Sequence, residues 1–157
     1  MSEILSNSGF TGMMTKAGLL PATGSKLGVG FSNPEGYGLV FAINGVAYGL
    51  ANDAETSFSA MGTQAAGTVC LILVQVTTTG DVTFKKGAEV TISAETVPSV
   101  ALELPMPDVD YCPVGCVKMV NATNPFIYGT TAVDATGVTD TYFDFAGGIP
   151  HRPVAFS

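Results

Sequence analysis

Residues 39–50, LVFAINGVAYGL, carry the clearest structural signal in this sequence. Two apolar runs flank Asn44-Gly45, and this dipeptide is typical of a two-residue hairpin turn because both turn positions need a positive φ. The segment therefore predicts two antiparallel strands, 39–43 and 46–50, with Asn44 and Gly45 as the structural turn.

Further strands are predicted on the C-terminal side of this hairpin. Residues 68–76, TVCLILVQV, are apolar on both alternating faces, which favours a central strand covered on both sides. From Val82 apolar residues alternate with polar ones, which predicts a strand with one buried and one wet face, and Lys86-Gly87 is expected to bend or break it. Residues 51–65 are expected to form a loop, with at most one helical turn. The other expected strands are 99–104 (Val100, Leu102 and Leu104 inward), 115–123 and 139–145.

Seven or eight short strands separated by turn signals are typical of a β-sandwich or barrel. At 157 residues the chain fits one domain. The fold class is therefore predicted as all-β, with a single antiparallel β-sandwich or barrel-like domain over residues 37–157. Residues 1–36 hold neither a helical nor a strand period and are predicted to form an extended N-terminal arm.

The predicted arm contains more apolar side chains than a free segment needs. We expect them to contact a neighbouring chain. These candidate anchors are Phe10, Met13, Met14, Leu19, Leu20 and Phe31.

The composition argues against nucleic acid and membranes as partners and favours other protein subunits. Only six residues are basic, so a phosphate-binding face is not expected, and Gly, Thr, Asn and Asp interrupt every apolar run before it reaches membrane length. Only 12% of residues are charged and 19 are Gly, which indicates a surface partly covered by other protein subunits. The net charge of −7 is concentrated in residues 89–145, which we interpret as a solvated acidic surface.

The sequence offers little for catalysis or metal binding. His151, the single histidine, lies in a Pro-rich tail without a nucleophile motif, and Asp108 and Asp110 lack the remaining ligands of a calcium loop. Cys112 and Cys116, with Cys70 and His151, match a zinc set on paper, but packing is the favoured interpretation. A Cys112–Cys116 disulfide is the less favoured alternative to free thiols. We expect no enzymatic activity and no cofactor.

Two features suggest where the protein is made. The first residues lack the basic region and continuous apolar core of a signal peptide. Three cysteines, an odd number, are typical of a chain assembled in a reducing cytoplasm.

The C-terminal third resembles a known protein family. Residues 113–120 read PVGCVKMV, residues 126–131 read FIYGTT and residues 134–142 read DATGVTDTY. This succession of strands and turns resembles the last strands of the small head-decoration, or cement, proteins of tailed bacteriophages.

The resemblance implies a non-enzymatic virion protein on the capsid exterior, assembled in the host cytoplasm, that binds the major capsid protein, commonly as a homotrimer. The arm is then expected to grip the shell by strand addition, with the acidic residues facing outward. The alternative is a receptor- or glycan-binding module of a head fibre or tail. A small hydrolase ranks last.

Overall fold

The computed structural model describes residues 9–24, 26–58, 61–92 and 101–145, and these form strands, turns and loops without a helix. The all-β prediction is confirmed. In chain order the strands are β1 Gly12–Met13, β2 Leu19–Pro21, β3 Gly28–Phe31, β4 Leu39–Ile43, β5 Val46–Leu50, β6 Glu55–Ser57, β7 Thr63–Gln64, β8 Thr68–Val76, β9 Val82–Lys86, β10 Val90–Thr91, β11 Cys112–Asn121, β12 Phe126–Ile127 and β13 Val138–Asp144. Because no helix occurs in these ranges, none is available there to cross a bilayer.

The strands form four antiparallel sheets. The large sheet has β8 and β11 at its centre, with β13 on one edge and both β9 and β10 on the other. The hairpin sheet has the order β1-β4-β5, the arm sheet β2-β3-β6, and β7 pairs with β12. One apolar core contains side chains from all four sheets, as in a β-sandwich-like domain.

The predicted hairpin is confirmed. β4 and β5 pair in register from Leu39↔Leu50 to Ile43↔Val46, and the turn residues Asn44 and Gly45 have φ angles of 53° and 80°. These angles are those of the turn whose twist matches two antiparallel strands.

The predicted central strand is also confirmed, since β8 spans 68–76 and pairs on both of its edges. The strands expected at 115–123 and 139–145 are present with shifted bounds, as β11 and β13. The break after Lys86 is confirmed as well: β9 ends there, and Gly87 N–H donates to Leu71 O at 2.8 Å.

The wet face predicted for β9 was wrong. Val82 and Phe84 pack against the core as expected, but the opposite face is half-buried as well. Thr83 and Lys85 lie on that opposite face, and Lys85 Nζ pairs with Asp108 at 2.7 Å. Lys86 lies on the same face as Val82 and Phe84, with its Nζ 5.5 Å from the centre of the Tyr128 ring.

Two other expectations were wrong. The segment 51–65 was expected to be loop, but it contributes β6 and β7. Residues 101–104 form no strand, although Leu102 and Leu104 do point inward as predicted. Ser99, Val100 and the tail from residue 147 lie outside the described residues.

The segment predicted as an arm is part of the fold from residue 12 onward. β1 pairs with β4, and β3 pairs with β6, so residues 12–31 share hydrogen bonds with strands of the predicted domain. Asp144 at the end of β13 accepts hydrogen bonds from the N–H groups of Gly18 (3.1 Å) and Leu19 (3.0 Å). The boundary predicted at residue 36 therefore does not separate an independent arm from the domain.

Candidate interaction face

The hairpin sheet has one face toward the core and one face away from it. Residues paired across an antiparallel sheet share a face, so Met13, Phe41 and Tyr48 lie together on the core side. Phe41 is fully buried, and its ring stacks on Tyr48 with 5.8 Å between centroids. The neighbouring positions along each strand therefore point away from the core.

These positions form what we call the outer face, defined by Gly12, Val40, Ala42, Ala47 and Gly49. All five residues are apolar and uncharged. Ala47 and Gly49, on β5, are exposed, Val40 is half-buried, and Gly12 and Ala42 are buried within the chain. A sheet face on water normally carries polar residues in alternation, and this face carries none.

Two of the predicted anchors border the outer face and are solvent-exposed. Phe10 is 58% exposed, and its carbonyl accepts a hydrogen bond from Gly45 N–H at 3.0 Å. Its ring lies over Gly12, since a Cβ at that position would be only 2.7 Å from Phe10 Cζ. Met14 is 61% exposed, and its N–H donates to Val40 O at 2.8 Å. Phe10 and Met14 therefore lie at the two ends of β1.

The other four predicted anchors are not exposed in this way. Met13 and Phe31 are buried in the chain's own core. Leu19 packs partly against that core, and Leu20 is half-buried beside it in β2. Met13, Phe31 and Leu19 therefore contribute to the chain's own core, whereas Leu20 alternates onto the opposite face of β2 and stays a candidate anchor.

Two exposed valines near the hairpin turn were missed by the sequence analysis. Val46 is 54% exposed, and Val109 is 86% exposed in the loop before β11. The side-chain amide of Asn44 donates to Asp110 Oδ1 at 2.9 Å, which holds this loop against the turn. An apolar residue between two aspartates was the available signal for Val109.

A buried polar cluster fastens β7 and β12 to the large sheet. Gln64 Nε2 donates to the carbonyls of Thr68 (3.0 Å) and Met119 (3.1 Å), and Gln64 Oε1 accepts from the Tyr128 hydroxyl at 2.7 Å. Cys70 Sγ lies 3.3 Å from the Tyr128 oxygen. Every hydrogen bond of this cluster joins two strands or a strand to its loop, so it stabilises the fold.

The three cysteines are buried free thiols in the apolar core, as the packing interpretation predicted. Burial raises the pKa of Cys70 above its ordinary value and raises the pKa of Cys112 and Cys116 to about 12. A raised pKa disfavours the thiolate, which is the reactive form of a cysteine nucleophile.

The Cys112–Cys116 disulfide is excluded by the strand that contains both residues. Their partners on β8, Val76 and Leu73, are three residues apart, so the two Cα atoms are roughly 10 Å apart. Disulfides need Cα atoms within about 7 Å. Within the described ranges no group of three or more His, Cys, Asp or Glu residues is arranged to hold a metal ion, and His151 lies outside them.

The carboxylates of residues 89–145 have specific partners. Asp108 accepts hydrogen bonds from Lys85 Nζ (2.7 Å) and Gln75 Nε2 (2.6 Å), and Lys85 lowers the pKa of Asp108 through the first of these. Glu89 pairs with Lys86 at 2.8 Å. The acidic segment is thus partly neutralised by lysines of β9.

Comparison with known protein families, characterised proteins and solved structures finds no match to this chain.

Proposed function

We propose that this chain is a non-enzymatic virion structural protein that decorates the outer capsid shell of a tailed bacteriophage and cements it by binding the major capsid protein. The resemblance of the C-terminal third to head-decoration proteins supports this proposal, and so does the low charge of the sequence. The homotrimer that the resemblance implies stays a prediction, as does assembly in the host cytoplasm.

The outer face of the hairpin sheet is the observation that carries the proposal. It places exposed Phe10 and Met14 beside small apolar residues, without a charged side chain among them. Aromatic residues and Met are enriched, and charged residues depleted, at the centre of protein interfaces. A contact of about 800 Å² per partner is typical of stable complexes. Repeated over a shell, modest contacts of this kind add up through avidity.

A binding assay with shells that lack this protein tests the proposal. Deleting the N-terminal segment is a poor test because β1 and β2 pair with other strands of the fold. We therefore choose the double substitution Phe10→Ser with Met14→Ser, which removes both exposed anchors and leaves the strands in place. Since truncating one interface anchor commonly costs more than about 1 kcal/mol, we expect loading to weaken about tenfold or more.

Ile127→Ser is the matched control. Ile127 is also exposed, but it lies on β12, which pairs with β7 beside the Thr68 end of the large sheet. The hairpin turn lies at the opposite end, because Asn44 bonds Asp110 just before Cys112 pairs with Val76. Wild-type loading by the double variant, or an equal loss by Ile127→Ser, overturns the assignment of the outer face.

One observation favours the alternative, a receptor- or glycan-binding module. Tyr37 is 82% exposed in the turn before β4, and exposed aromatic rings are common contacts in recognition sites. The alternative predicts that the protein binds host cells or their surface glycans and that Tyr37→Ala abolishes this binding. Cell binding without capsid loading would decide for the alternative.

A further inference from the structure

β5 differs from every other edge strand in the described residues. Natural sheets protect their edges with charged side chains, proline or very short strands. β13 carries Asp140 and Asp144, β9 carries Lys85 and Lys86, β6 carries Glu55, β2 carries Pro21, and β1, β7, β10 and β12 have two residues each. β5 has five residues and none of these protections.

The hydrogen-bond register shows which backbone groups of β5 face outward. In a two-residue hairpin the residues flanking the turn, Ile43 and Val46, form a hydrogen-bonded pair, and pairs then alternate. Tyr48 therefore bonds to Phe41, whereas Ala47 and Gly49 direct their N–H and C=O groups away from β4. Within the described ranges no strand pairs with this side of β5.

The sequence of β5 is complementary to itself when it runs antiparallel. With Tyr48 opposite Tyr48 of a second copy, Ala47 lies opposite Gly49 of that copy, and Val46 lies opposite Leu50. The two Ala47–Gly49 pairs then exchange four backbone hydrogen bonds, and every side-chain pair is apolar or aromatic. Ala47 and Gly49, whose N–H and C=O groups point away from β4, both have small side chains, so the two backbones can approach each other.

The charge distribution permits a second copy as the occupant at β5. The chain carries a net charge of −7, so two copies repel each other at most of their surface. The stretch 46–50 has no charged residue, so contact there brings no like charges directly together.

We propose that β5 pairs antiparallel with β5 of a second copy of this chain and joins the two hairpin sheets into one six-stranded sheet. A twofold pairing of this kind closes as a dimer, which differs from the trimer implied by the family resemblance. The dimer places two outer faces side by side. It forms without a capsid, so its test is independent of the capsid-binding proposal.

The first experiment measures mass against concentration by sedimentation or light scattering, starting from the 16.1 kDa monomer. We expect a monomer–dimer equilibrium that added salt strengthens, because salt screens the repulsion. Ala47→Pro removes an outward N–H without touching the bonds to β4, and proline is tolerated at such an edge position. We expect it to lower the association constant about tenfold or more. Ala47→Val keeps the N–H and is the matched control.

Gly49→Lys is a second variant that places a charge on the edge without the backbone restriction of proline. Equal unfolding midpoints for these variants and the wild type would show that only association has changed. A mass that stays monomeric at all concentrations, a trimer, or association that survives in both Ala47→Pro and Gly49→Lys overturns the proposal.

Amide hydrogen exchange locates the contact. The amides of Ala47 and Gly49 are expected to become protected as concentration rises, while the Tyr48 amide, bonded to Phe41, is protected throughout. Exchange of Ala47 and Gly49 that does not depend on concentration would contradict pairing at β5, even if a dimer forms.

Discussion

β13 and β5 are both edge strands, but they are protected very differently. β13 carries two carboxylates, and one of them, Asp144, bonds the N–H groups of Gly18 and Leu19 in the N-terminal segment. β5 has only apolar, aromatic and small residues, and no strand of the described ranges pairs with the outward backbone groups of Ala47 and Gly49. The chain has few charged residues, yet several of them lie on the edge strands β13, β9 and β6. Among the edge strands of the described residues, β5 alone lacks such protection, and the proposed pairing of two copies uses this edge.

The largest expected effect compares how much a residue of the large sheet and a residue of the hairpin sheet contribute to the free energy of unfolding. Leu73 lies in the middle of β8 and is fully buried, so Leu73→Ala should reduce the free energy of unfolding by about 2–5 kcal/mol. Ala47→Ser, on the exposed edge, should change it by less than about 0.5 kcal/mol. Urea unfolding measures both. A cost below about 1 kcal/mol for Leu73→Ala would contradict the assigned core.

The next largest effect is expected when the hydrogen bonds between Asp144, at the end of β13, and the N-terminal segment are removed. Asp144→Ala leaves the N–H groups of Gly18 and Leu19 without their acceptor, and we expect a loss of about 1–3 kcal/mol. Asp144→Asn keeps one side-chain oxygen and should lose less. The order wild type, Asn variant, Ala variant in unfolding midpoint checks this; equal midpoints would show that the contact contributes nothing.

A smaller effect is expected when β13 is made to resemble β5. Asp140→Val removes a carboxylate from the edge of the large sheet and should raise self-association about three- to tenfold, roughly 0.7–1.4 kcal/mol. Gly49→Lys makes the reverse change on β5 and should lower it. Sedimentation at matched concentrations compares the two. If Asp140→Val associates no more than the wild type, charge is not what protects β13.

The smallest effect concerns pH. Partial burial of Glu89 opposes its ionisation, but hydrogen bonds from Lys86, Ala65 and Thr68 outweigh burial, so the Glu89 pKa lies below its ordinary value. A lowered folded-state pKa stabilises the protein above the ordinary carboxyl pKa, and this contribution is lost as the pH falls through the folded-state value. We expect a loss of less than about 1 kcal/mol on acidification. In Glu89→Gln this part of the acid dependence should disappear; an unchanged profile would contradict it.

The elements predicted from sequence are those with a local signal. The Asn44-Gly45 hairpin and β8 were predicted with their bounds because turn chemistry and a long apolar run specify them without reference to the rest of the chain. β1, β6 and β7 have only two or three residues, and no periodicity develops over that length. Their existence depends on partners distant in sequence, as when β1 pairs with β4.

The candidate site was predicted in part for the same reason. Met13 and Met14 are adjacent and chemically identical, and composition alone marked both as anchors. The register of β1 against β4 turns Met13 into the core, whereas Met14 stays exposed. Side-chain orientation in a strand depends on pairing, so sequence identified the apolar segment but not which of its residues face outward.

The hydrogen bonds between Asp144 and the N-terminal segment also affect folding during translation. Its partners are separated by 125 residues or more. At synthesis rates of about 5–20 residues per second, roughly 6–25 s pass between translation of Gly18 and translation of Asp144. Until β13 is made, the large sheet lacks one of its edge strands, and the N–H groups of Gly18 and Leu19 have no Asp144 carboxylate to bond. We therefore expect the nascent chain to be most prone to aggregation, and most dependent on chaperones, until β13 leaves the ribosome.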